Sequence, residues 1–167
     1  ANLFYFWEYL IFNVNFAPYA YVSIALHLIN GMLVYFLILK ISKNWMISFL
    51  GSSLFLVASI SHQAVTWVLV AAGSLPSTGL FLASLIFFVE YLKRLSLGYF
   101  VLSTVFFIFS ILFKEISIFW LLLIPTVLCV KFAQKKKLDL FHLKVPILIL
   151  VIVGTSYVLM RVFFLFS

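Results

Sequence analysis

Residues 21–41 read YVSIALHLINGMLVYFLILKI, and their only formal charge is Lys40 at the far end. An α-helix rises ~1.5 Å per residue, so a hydrocarbon core of ~30 Å takes about 20 mostly apolar residues to cross. The stretch has that length. Backbone polar groups have no water to bond inside a bilayer, which leaves helix as the state such a segment adopts there.

Working outward, five more apolar runs follow, at 45–61, 76–92, 98–113, 116–130 and 145–163. Composition agrees with that pattern: 66% of the 167 residues are hydrophobic and 9% are charged, whereas a soluble domain carries roughly a quarter charged residues to cover its surface. The sequence therefore predicts an all-α integral membrane domain of about six transmembrane helices. With no repeat period and no linker, residues 1–167 form a single transmembrane domain. Neither end carries a cleavable signal or a polar tail, so the chain is expected to be part of a longer protein.

The basic residues give an orientation. Lys40 and Lys43 follow the first span, Lys93 and Arg94 the third, and Lys131, Lys135, Lys136, Lys137 and Lys144 the fifth, so nine of the eleven basic residues sit on alternate loops. Lys and Arg accumulate in short cytoplasmic loops. Those loops are accordingly placed in the cytoplasm, with residues 62–75 and 114–115 extracytoplasmic. Residues 1–20 fall on the outer side, where Phe4, Tyr5, Phe6, Trp7 and Tyr9 with Glu8 suit an interfacial helix. Residues 64–72, bounded by His62-Gln63 and by Gly73-Ser74-Leu75-Pro76, read as a re-entrant or interfacial turn before the span at 76–92.

Several function classes are excluded. The net charge of +7 is spread over helix ends instead of forming a basic face with base-stacking aromatics, so nucleic acid is not a partner. The single cysteine, Cys129, offers neither disulfide nor metal spacing. No phosphate-binding glycine loop, nucleophile elbow or His-Glu-x-x-His motif is present.

The polar residues at membrane depth ask for an account, because each costs roughly 2.5–3.5 kcal/mol there. Lys114 and Glu115 interrupt an apolar stretch that otherwise runs from Val105 to Val130. They read either as a polar turn between two helices or as a cation at the rim of a cavity. Arg161, near the outer end of the last span, is the other basic residue that escapes the charge bias. Two outer cations are placed to meet an anion, of which phosphate is the common one at a membrane. His27 and Asn30 lie three apart on one helical face, and each reads first as a core group bonded to a neighbouring helix. His62, Gln63, Thr66 and Trp67 cluster on an outer loop, with Trp67 an interfacial anchor.

Four patches in order resemble the GT-C superfamily of membrane glycosyltransferases, in particular the branch of transmembrane-and-tetratricopeptide-repeat O-mannosyltransferases. They are His27 to Leu37 (HLINGMLVYFL), Gln63 to Trp67 (QAVTW), Phe113-Lys114-Glu115, and Tyr157 to Arg161 (YVLMR). They are similar to that branch's His-x-x-Asn-x-x-Leu-Val-Tyr-x-Leu span, Glu-Ala-Val-x-Trp segment, Ser-Lys-Glu turn and Tyr-x-x-x-Arg helix end. Gln63 stands where the branch has glutamate, and Phe113 where it has serine.

The resemblance implies a GT-C-like bundle that transfers a sugar from a polyprenyl-phosphate carrier to an acceptor on the extracytoplasmic side. Lys114 and Arg161 would bind the donor phosphate, while His27, Asn30, His62, Gln63, Trp67 and Glu115 would line or support the cavity. The family's catalytic acid lies in the first outer loop, upstream of Ala1, and Glu8 falls too late in that loop to take its role, so no catalytic residue is assigned in this chain. Some family members use a divalent metal, although the residues here demand none. Membrane lipids, the lipid-linked sugar and other membrane subunits are the implied partners. A non-catalytic GT-C-like scaffold subunit is the competing reading. A transporter fits less well, because Pro76, Pro125 and Pro146 do not form the symmetric pairs of broken helices that inverted repeats produce.

Overall fold

The structure is a computed structural model. It describes residues 2–13, 15–58 and 66–114, with 148, 151–152, 154–157, 159–160 and 163. The chain divides into two compact units, residues 1–115 and 116–167. In the second, the described residues are helical, and Thr155 donates to the carbonyl of Val151 one turn back at 2.8 Å. The expected spans at 116–130 and 145–163 thus fall wholly or largely outside the described residues.

Among the described residues, the first unit contains the helices α1 (Asn2–Phe12), α2 (Phe16–Ser42), α3 (Trp45–Val57), α4 (Val68–Arg94) and α5 (Leu97–Phe113). No strand occurs among the described residues. Local chemistry sets the breaks. Asn13 ends α1 in the left-handed region (φ 50°), donating its N–H to Tyr9 at 2.8 Å, a conformation asparagine tolerates better than most residues. Asn15 then caps α2 by accepting from Ala17 N–H at 3.2 Å, and Pro18 falls in the first turn, where its missing N–H costs nothing. Between α2 and α3, Lys43 adopts φ 56° and donates its N–H to Leu39. Asn44 caps α3 by accepting from both Met46 N–H (2.9 Å) and Ile47 N–H (3.3 Å).

Among the described residues two helices, α2 and residues Val70–Arg94 of α4, are long and apolar enough to cross a membrane, while α3 and α5 are apolar but shorter. The first contains the whole expected span at 21–41. The expectation for 45–61 is corrected in length: α3 stops at Val57, where Ala58 turns extended (ψ 129°) after donating its N–H to Leu54. Its 13 residues reach about 20 Å. The expectation of a turn up to residue 72 is also corrected. From Val68 onward the chain is already helical and continues through Gly73-Ser74-Leu75-Pro76 without a break.

A proline removes one backbone bond and crowds the preceding turn, yet packing holds this helix on both sides of Pro76. Ala71, Ala72 and Leu75 are all buried, and Asn30 of α2 donates from its side chain to the Leu75 carbonyl at 3.0 Å. The carbonyl that Pro76 leaves without a helical donor is that of Ala72, so the Asn30 bond does not replace the lost one; it ties the adjacent turn of α4 to α2.

The packing order is α2 against α3, α2 against α4, and α4 against α5, with α1 lying on α2 and α4. Helices α4 and α5 are antiparallel and joined by a ladder of serines. Ser77 and Ser110 donate to each other's carbonyl oxygens at 2.9 and 2.8 Å. Ser84 and Ser103 do the same at 2.8 and 2.9 Å. Seven residues separate the rungs on each helix, which is two helical turns and hence one face. Phe81 and Phe107 fill the space between the rungs, with ring centroids 6.5 Å apart. Outside this seam much of the apolar surface is open, for example Tyr21, Ile24 and Leu28 on α2 and Leu54 and Val57 on α3.

Candidate functional site

The first unit is charged at two ends. At one, the C-termini of α2 and α4 meet: Glu90 accepts from Lys40 Nζ at 2.5 Å and from Arg94 Nε at 3.1 Å. Lys93 Nζ donates to the Lys40 carbonyl at 2.8 Å, and the Arg94 guanidinium lies 5.5 Å from the Tyr99 ring centre. Lys40, Lys93 and Arg94 are thus each matched by a carboxylate, a carbonyl dipole or a ring. Cations at helix C-termini also face the negative end of the backbone dipole.

The other end is formed by the start of α4, the end of α5 and α1. Ser74 stands 16 residues before Glu90 on α4, about 24 Å along the helix. Lys114 caps α5 in extended backbone (φ −155°, ψ 129°), its N–H donating to Ser110. From there its ammonium reaches across to donate to Ser74 Oγ. Both residues are half-buried. The contrast with the Glu90 end is chemical: the partner of Lys114 is a neutral hydroxyl, and among the described residues no carboxylate pairs with it.

Helix α1 covers the neighbouring surface. Phe4 meets Phe113 edge-to-face, with centroids 6.1 Å apart, which brings the start of α1 beside the residue preceding Lys114. On the same face one turn on, Glu8 is buried, 7% exposed, and burial pushes its carboxyl up from the ordinary value. Tyr5 and Phe12 pack on Tyr19 of α2, whose hydroxyl donates to the Asn13 carbonyl at 2.9 Å.

The other sequence candidates take different places. Asn30 is 2% exposed and spends its donor on Leu75, so it braces α2 against α4. Its Oδ1 lies 2.7 Å from where a side chain on Gly79 would begin. His27 bonds through Nε2 to the Leu56 carbonyl at 3.1 Å and packs against the Phe55 ring at 5.5 Å. Leu56 sits in the last turn of α3, whose carbonyls lack partners within the helix, and a histidine N–H satisfies one of them. Trp67 precedes α4 and is 65% exposed. His62, Gln63, Glu115 and Arg161 lie outside the described residues. Among those described, no three His, Cys, Asp or Glu side chains gather as metal ligands do.

No family model, curated protein or solved structure matches the chain. The likeness to GT-C enzymes therefore rests on the residue patches alone. Three features of the first unit went unread in the sequence: the serine ladder, the burial of Glu8 and the bridging role of Glu90. Only the first had a visible signal, the matched spacings Ser77-x6-Ser84 and Ser103-x6-Ser110.

Proposed function

We propose that this chain is the multi-pass transmembrane part of a glycosyltransferase that takes a sugar from a polyprenyl-phosphate carrier and passes it to an acceptor on the extracytoplasmic side. The bilayer is entered by about six helices in this reading, with the Glu90 end cytoplasmic, as its cluster of Lys40, Lys93 and Arg94 requires, and the Lys114 end outside.

The observation that carries the reading is the bond from Lys114 to Ser74 at the end opposite the basic cluster. A cation in the half-buried rim of a helix bundle, answered by a neutral hydroxyl, retains most of its field for an anion. The leaving group of the proposed reaction is a lipid phosphate, and a fixed cation stabilises the charge that develops on it where water is scarce. The order of the four family-like patches supplies the sugar chemistry, and Arg161 is assigned a share of the phosphate by its match to the family's helix-end arginine.

The test is transfer of hexose from a polyprenyl-phosphate-hexose by the full-length protein in liposomes. Losing a charge-assisted contact of about 1.5–3 kcal/mol corresponds to a ten- to hundredfold fall, expected for Lys114→Ala and for Arg161→Ala in a folded protein. Full transfer by both variants would sink the phosphate assignment and favour the scaffold reading. Impermeant thiol labelling of Cys placed at Ser74 and at Lys43 should succeed from opposite sides of the membrane.

A further inference from the structure

Serine and threonine inside helices usually settle their hydroxyl proton on a carbonyl one turn back or across an interface. Helix α4 follows this rule at Ser77, Thr78 and Ser84. Ser77 donates to Ser110 at 2.9 Å, Thr78 to the Ser74 carbonyl at 2.8 Å, and Ser84 to Ser103 at 2.8 Å. Ser74 departs from it. Its Oγ accepts from Lys114 Nζ, an ammonium has no lone pair to offer in return, and no acceptor for the Ser74 proton exists among the described residues.

We propose that Ser74 and Lys114 form a single two-donor site for a phosphate group, in which the Ser74 hydroxyl donates to one phosphate oxygen and the Lys114 ammonium to another. A hydroxyl that already accepts from a cation is polarised into a stronger donor, and donors of these two kinds bind anionic oxygens at short range. The lysine uses one of its three protons on Ser74, and no other acceptor for it occurs among the described residues. The scaffold beneath fixes the pair. Thr78 ties down the Ser74 carbonyl, and the Ser77–Ser110 rung pins α5 one turn before Lys114. Ser74 is thus a binding residue for the phosphate as well as the partner of the lysine. The proposed glycosyltransferase function supplies only the identity of the ligand, a lipid phosphate; the two-donor geometry stands on the bonds themselves.

Binding is separable from transfer and is the readout. Undecaprenyl phosphate would be titrated into the full-length protein in phosphatidylcholine nanodiscs, with bound lipid counted by native mass spectrometry and inorganic phosphate as the competitor. Ser74→Ala is expected to weaken binding about tenfold and Lys114→Gln more, while Ser74→Thr, which keeps the hydroxyl, binds like the parent protein. Because both groups hold one anion, the double variant Ser74→Ala with Lys114→Gln should lose less than the product of the two single losses. Competition by inorganic phosphate would place the affinity in the phosphate; its failure to compete would place the ligand as a lipid carrying that group. Unchanged binding in Ser74→Ala, independent effects in the double variant, or no binding of either probe by the parent protein would overturn the site. Loss of binding in these variants of a protein that never transfers sugar would leave the site standing and remove the glycosyltransferase reading.

Discussion

Asn30 of α2 and Leu75 of α4 are joined by a 3.0 Å bond from the asparagine amide to the leucine carbonyl. The bond lands immediately before Pro76, where α4 is weakest as a helix. Close approach is possible because the facing residue on α4 one turn later is Gly79, which leaves room for the other side of the same amide. A glycine and an asparagine thus act as one device that sets the distance between two helices.

Gly79→Ala should therefore destabilise the bundle, since the new methyl would start 2.7 Å from Asn30 Oδ1, and that amide is pinned by its own bond and cannot swing aside. Asn30→Ala should cost about 1–3 kcal/mol through the lost bond and the void. The double variant should recover part of the Gly79→Ala loss, because the clash is gone. Thermal unfolding in detergent micelles measures all three, and strictly additive losses would show that the two residues do not share a contact.

The serine ladder makes a second prediction. Each interhelical hydroxyl bond in a membrane protein contributes on the order of 0.6 kcal/mol, and the two serines of a rung donate to each other's backbone. Ser77→Ala or Ser110→Ala alone should lower stability modestly, and the pair should be coupled. Ser77→Leu should cost several-fold more, because Ser77 and Ser110 are both fully buried where the helices touch. Helix proximity, measured by disulfide trapping of Cys at Ser84 and Ser103, should persist in the alanine variants and fail in the leucine one.

How far the sequence foretold this depends on the residue. The run at 21–41 announced α2 because length and apolarity act on the segment itself. The helix through Pro76 was not foreseen: proline and glycine are local signals for a break, while the groups that hold this helix together, Asn30 above all, are 45 positions away along the chain. Lys114 stood out as a charge in an apolar run, yet its partner did not, because a serine between glycine and leucine resembles any turn residue. Glu8 was legible as a polar break in an aromatic segment; that α1 folds it inward depends on α2 and α4, which only the assembled unit provides.

Glu90 offers a third prediction. It bridges Lys40 and Arg94 with its side chain 13% exposed, against 34% for Lys40 and 64% for Arg94. Glu90→Gln leaves the lysine beside a neutral amide and should destabilise the bundle by about 1–2 kcal/mol, below the loss for a fully buried pair because Lys40 still reaches water. Glu90→Gln with Lys40→Met should be closer to the parent protein than Glu90→Gln alone. Equal unfolding midpoints for the single and double variants would show that Lys40 is held by solvent and not by Glu90.

The last prediction concerns pH. Glu8 lies on the buried face of α1, close enough to Tyr19 of α2 for their charges to interact, with no cation bonded to it among the described residues. Burial disfavours the carboxylate, so its proton is held more tightly in the folded chain than at the ordinary value of 4.5. In the pH window from 4.5 upward to the raised value, the folded state keeps a proton that the unfolded state has released. Stability then falls as pH rises through that window and levels off above it. Glu8→Gln removes the titrating group while preserving its shape. The variant should be more stable than the parent protein at pH 7, and the gap should close as pH is lowered below the ordinary carboxylate value. The effect is local to α1, so hydrogen exchange of the amides of residues 5–12 should report it more sharply than global unfolding: protection rises with acidity in the parent protein and stays flat in Glu8→Gln. Protection that instead falls on acidification, or that changes equally in both proteins, would mean that Glu8 is not the group that sets how firmly α1 is seated.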